Sequence, residues 1–203
     1  NHNVVYTIPI RITDVPSIDV ICEQSQSHYE LINRCLRDGE VNSFVGVIQY
    51  FIEQALQKLE CYSGYVTRGE DIYPGSMEKL HVGNVLCSPA FWSASFRRTP
   101  SYYTDKPLQY IIESKTGRKI QSIAAGWQEY EILYRCQQPF YVNDVTKYRG
   151  KTVVLLTELP QEYKQLKTIK LERKLFERNH FEILDKAEEQ KELNLFENDF
   201  EGH

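Results

Sequence analysis

The sequence predicts an α+β fold on three observations: an amphipathic helical stretch in the first third of the chain, a series of short β-branched segments after it, and an end dense in lysine and glutamate. With 203 residues, 41% hydrophobic and 12% aromatic, the chain can bury one good core and has little left for a second. The expected organisation is one domain over 1–160, followed by a charged helical extension over 161–203.

The first twenty residues, which include Pro9 and Pro16, read as extended or irregular. "SHYELINRCLRDGE" reads as a short helix closed by Gly39, where a left-handed residue is needed. "NSFVGVIQYFIEQALQKLECY" then puts Phe44, Val47, Ile48, Phe51, Ile52, Ala55, Leu56 and Leu59 on one stripe, with Asn42 or Ser43 as the cap. From Gly64 to Leu159 the pattern shortens to "GYVTRG", "GNVLCSPAFWSASF", "LQYIIES", "EYEILY", "FYVNDV" and "KTVVLLTEL", divided by Gly, Pro, Asn and Ser, which predicts a set of strands. After Pro160 the mixed charges with intermittent Leu, Phe and Ile predict a docked helix with a solvated charged face.

Several function classes lack support. The 24 basic and 28 acidic residues are spread along the chain for a net charge of −4, so neither a nucleic acid nor an anionic membrane is indicated as a partner. Cys22, Cys35, Cys61, Cys87 and Cys136 form no CxxC pair and are odd in number, which points to reduced thiols rather than a disulfide framework. His2, His28, His81, His180 and His203 have no ligand spacing, so no metal is expected. The chain carries no GxGxxG or Walker phosphate loop and no apolar run of membrane-spanning length. It opens "NHNVVYTIPI" without a methionine or a signal peptide's basic start, which leaves a removed targeting segment open.

"GWQEYEILY" sets Glu129 and Glu131 either side of Tyr130 where a loop turns into a strand. On a strand, residues i and i+2 share a face, so the two carboxylates would stand side by side with Tyr130 turned away. In a cleft, their repulsion raises at least one pKa and suggests function; on an exposed edge the pair is ordinary. Two further features precede it: Arg68 in "YVTRGED", and Ser93 and Ser95 around Ala94 in "AFWSASF".

In that order, an arginine after the helices, an aromatic-x-Ser-x-Ser strand containing Phe91 and a Glu-x-Glu before an apolar pair resemble the Arg-Ser-Glu class of mono-ADP-ribosyltransferases, in the bacterial toxin and effector branch. The resemblance extends through "YIIESKTGRKIQSIAAGWQEYEILYRCQQPFYV", which looks like the family's strand, glycine turn, hydrophobic strand, acceptor loop and catalytic glutamate. It covers about Gly64 to Leu159, and the amphipathic helix stands before it as expected. Ala94 departs from the usual Ser-Thr-Ser and removes one hydroxyl.

The resemblance implies an ADP-ribosyltransferase-like split β-sandwich and NAD as substrate, without a metal. Glu131 would stabilise the cation that forms as the nicotinamide–ribose bond breaks, and Ser93 would orient it. Arg68 would hold the NAD pyrophosphate or ribose, with the backbone of Gly69 close to the nicotinamide amide. Ser95, Phe91, Arg97, Arg98, Tyr102 and Tyr103 complete the implied cofactor set. Glu129 and Trp127 would grip the acceptor, and a glutamate at the earlier position implies arginine. The implied setting is a toxin or effector, secreted or translocated into a host cytoplasm, acting on a host protein. An NAD glycohydrolase and an inactive binding module are the alternatives.

Overall fold

The computed structural model describes residues 29–96, 105–120, 130–164 and 173–185. Two helices precede the strands. The first, α1, covers 29–38 and stops at Gly39, whose φ of +75° lies in the left-handed region where a Cβ is unfavourable. The second, α2 (Ser43–Leu56), starts at Asn42, whose side chain accepts a hydrogen bond from the Val45 amide at 2.9 Å. The buried stripe differs from the expected one. Val45 and Leu56 are buried and Ile48, Ile52 and Leu59 pack beside them, whereas Phe44 and Val47 lie on the exposed side.

Seven strands follow: β1 (Cys61–Glu70), β2 (Val85–Cys87), β3 (Trp92–Ser95), β4 (Leu108–Lys119), β5 (Glu131–Tyr134), β6 (Pro139–Tyr148) and β7 (Lys151–Glu158). Each of the six strand-like segments of the sequence supplies at least one of them. Their order is β1-β3-β5-β4-β7-β6-β2, and a further β1–β4 pairing closes β1, β3, β5 and β4 into a ring. The long strand β4 belongs to both halves. Its first half pairs in parallel with β7 from Leu108–Thr152 to Glu113–Thr157, and its end pairs antiparallel with β5 at Arg118–Leu133 and Lys119–Ile132.

The residues between those pairings explain how one strand serves two partners. Opposite a register shift at Tyr62/Gly64 of β1, β4 leaves β7 and turns to β5. The sequence suggested a glycine turn at Gly117, but β4 runs unbroken through it. Glycine is needed there for close approach: a Cβ would sit 2.5 Å from Ile132 Cγ2, 2.8 Å from Tyr134 Cε1 and 2.9 Å from Ser114 Oγ.

Two apolar clusters lie on opposite sides of β5. Ile132 and Tyr134 join Val66, Tyr110, Phe140 and Leu156, while Leu133 packs with Ile32, Leu36, Val45 and Phe91 under the helices. A third cluster, of Ile111, Val153 and Leu155, is covered by the segment 173–185 through Phe176 and Leu184. That segment has no regular structure over 173–177 and is helical over 178–185 (α3). Lys174 pairs with Glu113 at 2.6 Å and Arg173 with Asp144 at 3.1 Å.

His180 gives this docking a pH dependence. Its Nδ1 accepts the Glu177 amide hydrogen at 2.9 Å, and its ring meets Tyr65 edge-on, with centroids 4.8 Å apart. Burial holds its pKa below the ordinary value, against the raising charges of Glu177 and Glu113, and the charge of Lys174 lowers it further. The unfolded chain therefore takes the proton at higher pH than the folded one. The contribution of His180 is complete above about pH 6.5 and is lost as pH falls through its folded pKa. An imidazole titration by NMR should place His180 below 6.5, with thermal stability declining over the same range; titration at or above 6.5 would contradict the burial argument.

Candidate active site

Strand register places the candidate residues relative to one another. Ser95 of β3 stands directly opposite Glu131 of β5, Ala94 opposite Ile132, Ser93 opposite Leu133 and Trp92 opposite Tyr134. Directly paired residues share a face and alternate along the strand, so Ser93, Ser95, Glu131 and Leu133 project together. Leu133 is buried under α1 and α2, so this is the helix-facing side, and Glu131 lies at its half-exposed end. Ala94 points the other way into the core, where a hydroxyl would be buried.

Glu131 is held by its backbone on both sides. Its carbonyl accepts the Ile120 amide hydrogen at 3.2 Å, and the preceding Tyr130 carbonyl accepts that of Phe96 at 3.2 Å. Tyr130 has φ +47°, and its ring rests edge-on against Phe96, which packs in turn on Tyr62. Strand β5 begins only at Glu131. The left-handed Tyr130 thus ends the regular alternation on the N-terminal side of Glu131. Glu129 and Trp127 lie outside the described residues, as do Arg97, Arg98, Tyr102 and Tyr103.

The β1–β3 pairing has a single register pair, Thr67–Ser95. Beyond it, side chains bridge the two strands. Arg68 Nη1 donates to the Ser93 carbonyl at 2.6 Å and lies 3.3 Å from Ser93 Oγ. Its Nε donates to Glu70 Oε1 at 2.7 Å, and the same oxygen accepts the Trp92 indole hydrogen at 2.8 Å. The guanidinium carbon stands 5.2 Å from the Trp92 ring centroid. Trp92 is fixed in turn by Tyr110 and Phe140, each with ring centroids 5.1 Å away. An arginine held in this way presents its remaining nitrogen without having to order a long side chain on binding.

Ser93 is engaged with Arg68, and Ser95 is the residue opposite Glu131. Gly69 is buried within β1. Phe91 is 2% exposed and packs under the helices. Its amide donates to Asn33 Oδ1 of α1 at 3.1 Å, which anchors the start of β3 to the helical layer.

Glu70 was not among the expected site residues, although "TRGE" gives the i, i+2 spacing that puts Arg68 and Glu70 on one strand face. Among the described residues no group of three or more His, Cys, Asp or Glu is placed to hold a metal ion. The described cysteines are free; burial first, then the charge of Glu53, pushes the Cys136 thiol up to about 12, and burial also raises Cys87. No described helix is long and apolar enough to cross a membrane.

No family model matches the chain. It is 26% identical over 155 residues to a Mycobacterium avium protein named "Putative NAD(+)--arginine ADP-ribosyltransferase Mav", a match covering 74% of this chain and 19% of that one. It is also 26% identical over 137 residues to the NAD(+)--protein-arginine ADP-ribosyltransferase Tre1 of Serratia proteamaculans, covering 65% of this chain and 29% of that one. The chain thus spans less than a third of the length of either curated relative. Among solved structures it resembles exoenzyme S of Pseudomonas aeruginosa, in a complex with a human 14-3-3 protein and bound to carba-NAD, with a TM-score of 0.58, 19% identity and coverage of 70% of this chain and 74% of that one. The sheet-rich core of this chain has the fold of the ADP-ribosyltransferases.

Proposed function

We propose that this chain is the catalytic region of a mono-ADP-ribosyltransferase of the Arg-Ser-Glu class, moving ADP-ribose from NAD to an arginine of a protein. The observation that carries the proposal is that Arg68 and Glu131 both adjoin β3: one donates to the Ser93 carbonyl and the other pairs with Ser95. The names of the curated relatives support the same activity.

In this reading Arg68 binds the NAD pyrophosphate through its forked donors, and Gly69 lets the nicotinamide amide approach the backbone. The C–N bond between ribose and nicotinamide breaks, and its electron pair neutralises the pyridinium of the departing nicotinamide. Glu131 stabilises the positive charge left on the ribose. A guanidine nitrogen then forms the new C–N bond and gives its proton to Glu129, with Trp127 stacked on the acceptor. Arg97, Arg98, Tyr102 and Tyr103 would cover the phosphates and nicotinamide, and Ser95 would support Glu131.

The wider proposal is a toxin or effector that acts on a host protein after secretion or translocation into the host cytoplasm, with 1–160 as its catalytic domain and 161–203 as a charged extension. Nicotinamide release should be measured with and without agmatine or an arginine-rich protein, and labelled residues mapped by mass spectrometry. The proposal predicts release that the guanidine accelerates and ADP-ribose on arginine. Release indifferent to the acceptor would identify an NAD glycohydrolase, and no release would favour an inactive binding module.

A further inference from the structure

We infer that Glu70 is a positioning residue for NAD binding: its carboxylate locks the Arg68 guanidinium against Trp92, so that Arg68 meets the dinucleotide already oriented. The inference rests on the reading of Arg68 as the NAD-binding arginine and adds a residue outside the Arg-Ser-Glu set. One oxygen, Glu70 Oε1, accepts from both Arg68 Nε and Trp92 Nε1, at 2.7 and 2.8 Å. The Arg68 and Glu70 side chains are 18% and 28% exposed, so the pair is partly shielded from water rather than free on the surface.

A carboxylate beside a phosphate-binding arginine is electrostatically unfavourable to a phosphate, so its presence needs a compensating reason. Geometry supplies one. Arg68 has two of its three nitrogens committed, Nε to Glu70 and Nη1 to Ser93, which fixes the plane of the fork and the direction of Nη2. Without Glu70 the guanidinium would keep only its Ser93 contacts and its position over the indole, and would have to be ordered on binding. Burial, together with the nearby negative charge of Glu70, keeps the Tyr110 hydroxyl protonated, so the phenol adds no second anion beside Arg68.

Orientation and charge predict opposite effects. If Glu70 positions Arg68, Glu70→Ala raises the NAD KM about tenfold while kcat falls less than threefold, and Glu70→Gln, which keeps an acceptor oxygen, recovers most of the affinity. If its charge merely opposes the phosphate, Glu70→Ala lowers the KM. NAD affinity should also be measured by calorimetry for Glu70→Ala, Arg68→Ala and the double variant. Positioning predicts that Glu70→Ala has no further effect once Arg68 is gone, whereas a general structural role predicts additive losses. Unchanged or improved affinity in Glu70→Ala, equal losses in the Ala and Gln variants, or additivity with Arg68→Ala would each overturn the inference. Failure of the parent chain to bind NAD would instead overturn the functional reading on which it rests.

Discussion

Glu131→Gln should lower NAD cleavage about a thousandfold, with and without an acceptor, while changing NAD affinity little. The amide keeps the shape of the side chain and one acceptor oxygen, so ground-state contacts persist, but it carries no charge to stabilise a cationic ribose. The loss belongs in kcat because the positive charge develops only as the glycosidic bond breaks. The site can express such an effect because the backbone at Glu131 is held: Ile120 and Phe96 hydrogen-bond to it on either side, and Ile132 and Tyr134 anchor the strand in the core. Glu129→Gln should behave differently, losing most transfer to arginine while retaining hydrolysis of NAD, because only the acceptor's proton passes through it. Nicotinamide release and arginine labelling, measured side by side on both variants, test the division; equal loss of both activities in the two variants would contradict it.

The legible part of the molecule is the part governed by local pattern. Val45 to Leu56 has helical periodicity and an Asn cap, and each β-branched run formed a strand, because these signals lie within a few residues of one another. The face of α2 was less legible. Phe44 and Val47 are apolar and correctly spaced for a buried stripe, but burial depends on what lies opposite, and only Val45, Ile48, Ile52 and Leu56 meet the β3–β5 side. Motif order singled out Arg68, Ser93 and Glu131, yet which serine faces which partner is a matter of register between strands 36 residues apart, Ser95 to Glu131. Sequence alternation could not foresee the left-handed Tyr130 that stands immediately before β5. Glu158 was invisible as well, because its partners lie more than forty residues away in the sequence.

Replacing that glutamate by alanine should cost about 3 kcal/mol and lower the midpoint of thermal unfolding by roughly 8 °C. Glu158 is 1% exposed and sits where β4 abandons β7. One of its oxygens accepts the amide hydrogens of Lys115 and Thr116 at 2.6 and 2.9 Å, and the other accepts the Thr116 hydroxyl. Ser114 Oγ lies 3.3 Å from the first oxygen. Those amides follow the last β4–β7 pair, Glu113–Thr157, and precede the first β4–β5 pair at Arg118, so neither ladder supplies their acceptor. In Glu158→Ala both amides would lose this acceptor at a partly buried position, where water replaces it only in part, a larger penalty than the loss of an exposed hydrogen bond. Glu158→Gln should cost roughly half as much, since one oxygen can still take both amides while the new amide group donates to the Thr116 hydroxyl. The same change should reach the site: loosening β4 between Ser114 and Gly117 frees β5, and with it Glu131, so kcat should fall in Glu158→Ala even well below its unfolding temperature. A stability loss under 1 kcal/mol by chemical denaturation would show that the branch point is held by packing around Gly117 rather than by the carboxylate.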